Sequence, residues 1–169
     1  MFEDSGFSVI EEQEIGDLSQ VAESAPVMPP TSNVRLKIKK VQVKESKENK
    51  EEERPAGQYK WLSLGLQLVD GLGEEGKWKN AYVWSENLCY YANPEYYPKS
   101  VNEQKSLFFG GFGSLQRATG IKTTKMNDQF VADIQDKIIL GNILQSKGQD
   151  GELRNVVKGF KAVPADSEV

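Results

Sequence analysis

From residue 58 the chain reads QYKWLSLGLQLVDG, with apolar residues at every second position. Successive strand side chains point to opposite faces, so the stretch predicts a strand with Leu62, Leu64, Leu66 and Leu68 buried together. The opposite side then carries Tyr59, Trp61, Ser63, Gly65 and Gln67, and two large rings start the face turned away from the core. Upstream, NVRLKIKKVQVK alternates in the same way, with Val34, Leu36 and Ile38 on one side and Arg35, Lys37 and Lys39 on the other. After Lys40 the apolar phase slips by one residue to Val41 and Val43. A one-residue slip inside a strand predicts a bulge that bends it.

Between these strands ESKENKEEERPAG reads as a charged loop. VDGLGEEG makes a turn and KWKNAYVWS a third strand. CYYANPEYYPKS, with four tyrosines, reads as a loop. A helix is expected from Ser100, because Glu103 three residues later completes a capping box. Leu107, Phe108, Phe112 and Leu115 form its apolar stripe and Gly120 closes it. NDQFVADIQ can add a helical turn, and DKIILGNILQS and LRNVVKGFKAV are two further strands joined by a KGQDGE turn. Three strands, a helix and two strands predict a mainly β fold, a five-stranded OB-type Greek-key barrel with one helix between strands 3 and 4. A small β-sandwich is the other architecture that fits.

A chain of 169 residues is long enough for one ordinary domain. No apolar run approaches the ~20 residues of a membrane span, and the start, MFEDSGFSVIEEQE, has neither the basic nor the apolar part of a signal peptide. Cys89 is the single cysteine, so neither an internal disulfide nor a cysteine-based zinc site is expected, and a reducing cytoplasm is the natural compartment. Histidine is absent altogether. That removes the commonest general base and metal ligand, together with every Ser-His or Cys-His nucleophile. Carboxylate or lysine chemistry remains, but no set of acids suits a metal, since Asp133 and Asp136 lie too close in sequence to be persuasive ligands. The expectation is a protein that is not an enzyme and carries no metal or cofactor.

The net charge of −4 hides a division. Residues 1–33 hold seven acids and no base, residues 34–161 hold all 21 Lys and Arg against 16 acids, and the last eight residues add two acids. The domain plan is an acidic N-terminal arm at 1–32, ended by the Pro-rich SAPVMPPTSN, then a body at 33–163 and a short acidic tail at 164–169. Two readings of the arm stand open. It is a solvated disordered tail, or an acidic peptide dotted with Phe2, Phe7 and Ile10 that docks on something basic.

Single-stranded nucleic acid needs rings to stack unpaired bases and cations to follow the phosphates. Strand one offers Arg35, Lys37 and Lys39, and strand two offers Tyr59 and Trp61; pairing of the two strands is expected to bring them together. In strand three Trp78, Tyr82 and Trp84 share one phase and Lys77, Lys79, Ala81 and Val83 the other. Either phase turned outward adds to the surface, with Trp84 in the core as the default reading. Arg154 and Lys158 extend the basic stripe on the last strand. Against the binding reading, strand aromatics are more often packing than function, and the loop tyrosines can pack beneath the barrel. FFGGFG lacks the GK[ST] ending of a phosphate loop, and GLGEEG is a hairpin turn, since a dinucleotide fingerprint has to open a helix.

The succession GQYKWLSLGLQLVDGLGEEGKWKNAYVW, a loop with NP, SLQRATGI, ADIQDKIILGNI and DGELRNVVKGFKA resembles the bacteriophage single-stranded-DNA-binding proteins of the OB fold, small proteins of phage replication regions. The likeness covers roughly residues 33–163. It implies coating of transient single strands in phage DNA replication or recombination, without sequence preference, in the cytoplasm of an infected bacterium. By matching position it points to Tyr59, Trp61, Trp78 and Tyr82, with Lys77 and Lys79. Two departures stand out. The fourth strand opens with Asp136-Lys137 where the family pattern has GK, and the long acidic segment lies at the amino end, whereas bacterial single-strand binders carry theirs at the carboxyl end. The arm is therefore expected to compete for the basic groove or to hook a phage or host replication or recombination partner. The alternative is an interaction or structural phage protein whose aromatic face is a homo-oligomer or virion interface. A membrane partner is not expected.

Overall fold

The fold is described from a computed structural model, at residues 12, 14, 27–73, 75–96 and 111–164. The expected arm, the helix start at Ser100 with Leu107 and Phe108, Tyr97, and the tail beyond Pro164 fall outside the described residues, apart from Glu12, Glu14 and the stretch from Val27. Among the described residues there are six strands and two helices, in the order β1 (Thr31–Glu45), β2 (Tyr59–Leu68), β3 (Tyr82–Trp84), β4 (Leu88–Ala92), α1 (Phe112–Thr119), α2 (Asp128–Ile134), β5 (Ile138–Lys147) and β6 (Leu153–Lys161). The hydrogen-bonded order is β3-β2-β1-β5-β6, with β4 also on β2 and every neighbour antiparallel.

Leu62, Leu64, Leu66 and Leu68 are fully buried, as their alternation requires. They meet Leu36, Ile38, Ile139, Ile143, Val157 and the helix residues Leu115, Phe130 and Ile134 in one core. The slip in β1 is a real bulge: Ile38 pairs with Leu66 and Lys40 with Gly65, so Lys39 is the extra residue. Below the bulge β1 pairs with both β2 and β5; above it, with β2 alone. The bend thus carries one strand from a two-sided to a one-sided neighbourhood. α1 ends at Gly120 in the left-handed region, φ 73°, and α2 is capped by Asn127, whose side chain accepts from Phe130 N–H at 2.9 Å. Ahead of β1 the chain is strapped down at Met28, which is buried. The Asn155 amide accepts from Met28 N–H and donates to Met28 C=O, both at 2.8 Å, standing in for a strand partner.

The structure corrects the expected third strand, loop and helix count. KWKNAYVWS contributes only Tyr82–Trp84 to a strand. Lys77 bridges to Leu72, and residues 78–80 are a turn in which Trp78 and Asn80 take positive φ (73° and 65°), closed by Ala81 N–H to Trp78 C=O at 2.9 Å. The tyrosine stretch is not all loop, because Leu88–Ala92 pairs with Tyr59–Leu62 of β2. β3 and β4 thus lie along the same edge of β2, one after the other, interrupted at Ser85–Asn87. At that interruption the chain swings to the far strand. Ser85 makes an isolated parallel bridge to Val157 of β6, and Glu86 N–H donates to Val157 C=O at 3.0 Å. The Ser85 hydroxyl accepts from Leu64 N–H at 2.9 Å and keeps β2 satisfied there. The segment at 128–134 is a second helix, where one helix between strands was expected, because the Asn127 cap and buried Phe130 and Ile134 fix it on the core.

Candidate functional site

The outward face of β1–β2–β3 is built by alternation around the buried leucines. Gln67 on β2 lies between Lys37 on β1 and Tyr82 on β3. One step along, Gly65 lies between Lys40 and Trp84. Val83 is 4% exposed, whereas its neighbours Tyr82 and Trp84 are 53% and 40% exposed, so β3 turns both rings outward. A Cβ on Gly65 would sit 3.0 Å from the Cβ of Lys40 and 3.3 Å from the six-membered ring of Trp84. The missing side chain therefore lets the indole lie close to the sheet, with a lysine on its far side. The bulge supplies that lysine, because it lets Lys40 continue the outward row begun by Arg35 and Lys37.

Trp84 and Lys40 are the two residues here that sequence reasoning missed. The sequence alone makes core the default place for a strand tryptophan such as Trp84, and Lys40 falls at the phase slip, where alternation assigns no face. The readable signals were a glycine set among leucines opposite them and a β-branched Val83 between two rings.

The expected meeting of Tyr59 and Trp61 with Arg35, Lys37 and Lys39 does not occur. Pairing puts Lys44 opposite Trp61 and Gln67 opposite Lys37, so the two groups lie six residues apart along β2, about 20 Å at strand spacing. Tyr59 and Trp61 are half-buried, with ring centroids 5.3 Å apart, beside β4, where Tyr59 contacts the Cys89 thiol. Trp61 Nε1 is buried without an acceptor among the described residues. Trp78 packs its ring against the core, and Lys77 Nζ stands 5.3 Å from that ring's centroid.

Charge is also distributed differently from the expected stripe. Arg35 pairs with Asp70 at 3.2 Å and Lys39 with Asp136 at 3.0 Å. On β6, Arg154 pairs with Asp150, and Lys158 with Glu86 at 3.8 Å. Among the described residues, Lys37, Lys40 and Lys79 have no carboxylate partner. Burial pushes the Glu86 carboxyl above its ordinary range, against the opposing pull of Lys158. Burial likewise raises the Cys89 thiol and the Tyr90 hydroxyl. No group of three or more His, Cys, Asp and Glu that could hold a metal ion occurs among the described residues, nor any helix long and apolar enough to cross a membrane.

The face can therefore offer planar rings for stacking and ammonium groups for anions. No protein-family model matches the chain, and no curated protein matches it either.

Proposed function

We propose that this protein binds single-stranded DNA without sequence preference and without catalysis, as part of phage DNA replication or recombination. The observation that carries the reading is the pair of exposed rings, Tyr82 and Trp84, beside Lys37 and Lys40, two lysines with no carboxylate partner among the described residues. Stacking on such rings tolerates any base, since every base has a π-face, and lysines beside them supply the phosphate attraction. Strand order supports an OB-type barrel as the scaffold. If β3 and β4 count as one interrupted strand, five strands remain, and the Ser85–Val157 bridge brings the third against the fifth. The sequence likeness to phage single-strand binders agrees with this, and the acidic arm is the proposed contact with a replication or recombination partner.

The test is tryptophan fluorescence during titration with oligo-dT, with duplex DNA as control. Quenching by oligo-dT is expected, and Trp84→Ala should weaken binding by about 1–3 kcal/mol, the value of one base–ring stack. Lys37→Gln should reduce the log–log salt slope by about 0.7, the share of one phosphate on a single strand. No quenching and no retardation of the native chain would overturn the reading.

The same exposed rings also favour a second reading, an oligomer or virion interface in an interaction or structural phage protein. Trp84→Ala would then change the sedimentation of the protein and leave oligo-dT without effect.

A further inference from the structure

The outer face does not stop at Lys37. Arg35 of β1 pairs with Leu140 of β5, and Leu140 pairs with Lys161 of β6. Leu36, Ile139 and Phe160, next to each of them, are buried. Alternation therefore places Arg35, Leu140 and Lys161 side by side on the outside of the sheet. Leu140 lies in an open groove whose other walls include Asn33, Arg35, Lys161 and the chain through Pro164.

Two features mark the groove as a place for an anion. Arg35 has more donors than partners. One terminal nitrogen meets Asp70 at 3.2 Å, while its Nε is buried with no acceptor among the described residues. Lys161, across the groove, is exposed and has no carboxylate partner among the described residues. The two cations stand on strands two places apart, about 10 Å at ordinary sheet spacing. Arg35 is also two residues from Lys37 on the same strand, so the groove continues the ring-and-lysine surface. Asp70 is no obstacle, because its side chain is 58% exposed and an exposed ion pair exchanges readily for another anion.

We propose that the groove between Arg35 and Lys161 binds the phosphodiester backbone of the same single strand whose bases stack on Tyr82 and Trp84. The nucleic acid then crosses the sheet, from β3 over β2, β1 and β5 to β6. Arg35 leaves Asp70 for a phosphate, for which the guanidinium fork is well suited. Lys161 holds the next stretch of backbone, and Leu140 supports the sugars between them. This inference rests on the single-strand reading above and adds a path and a length to it.

Length dependence tests it. The full chain and Lys161→Gln are titrated with oligo-dT of about four and about sixteen nucleotides, the limits of site size for one OB fold. Lys161→Gln should leave the short oligonucleotide unaffected. It should weaken the long one about fivefold at roughly 0.1 M salt, with a slope lower by about 0.7, as for one lost phosphate contact. Equal loss at both lengths, or none at either, would overturn the groove while leaving the single-strand reading in place. A native chain that binds neither length would overturn that reading itself. The groove would also be reassigned, to the chain's own acidic residues after Pro164, if a chain ending there bound the long oligonucleotide more tightly and Lys161→Gln abolished the gain.

Discussion

Gly65 shows how one missing side chain can shape a surface. Its neighbours, Lys40 Cβ at 3.0 Å and the Trp84 ring at 3.3 Å from any added Cβ, leave no room for a branched residue. Gly65→Val should lift the indole from the sheet, since the inward leucines are untouched and the new bulk has only the outer face to occupy. Oligo-dT affinity is expected to fall about tenfold, within the 1–3 kcal/mol of one stack, with little change in the thermal midpoint; an unchanged affinity would mean that the ring does not stack. At this scale Lys37 was legible from simple alternation, whereas alternation put Tyr82 and Trp84 on one side of their strand without saying which side is buried. A large ring on a strand is core more often than surface, and only its neighbours' burial decides. Nor could the sequence say which cations are neutralised. The carboxylates on Arg35 and Lys39 come from 35 and 97 residues away, a distance that no local pattern encodes.

Elements were read best where a period ran long enough. β2, β5 and β6 follow from alternation, and the bend of β1 follows from its slipped phase. Gly141 in β5 belongs to the same logic, since it faces inward where two strands crowd. A Cβ there would stand 2.6 Å from Val157 Cγ1 and 3.0 Å from Leu36 Cδ1. Gly141→Ala should cost about 1–3 kcal/mol by overpacking, seen as a lower urea midpoint at unchanged m-value. The shortness of β3 and the presence of β4 escaped the sequence for a physical reason. Trp78 and Asn80 occupy the left-handed region, which residue type disfavours for a tryptophan, so KWKNAYVWS looked like unbroken strand. Conversely, the polar NP that follows β4 masked a strand whose pairing is set by β2 rather than by its own composition.

At the scale of the whole molecule, the mainly β character and the division of charge along the chain were legible, whereas the residues that join the two ends of the sheet were not. The contact they make is slight: the Ser85–Val157 bridge, the Glu86 N–H bond to Val157 and the ion pair of Glu86 with Lys158. Burial raises the Glu86 carboxyl above its unfolded value, so between those two values the folded chain holds more protons than the unfolded one. Its contribution is therefore greatest below the unfolded value and is lost as pH rises through the folded one. Glu86→Gln should flatten that fall in urea midpoints measured from acid to neutral pH, and a native pH profile that the variant reproduces would refute the assignment. The seam also bears on how the molecule holds a ligand. β3 is three residues long, carries Tyr82 and Trp84, and leads directly into Ser85. Any opening of the seam by sub-global fluctuation loosens the strand that presents the rings. A strand of nucleic acid lying across them would thus act as a splint, and closure and occupancy would form a single thermodynamic cycle in which each raises the population of the other.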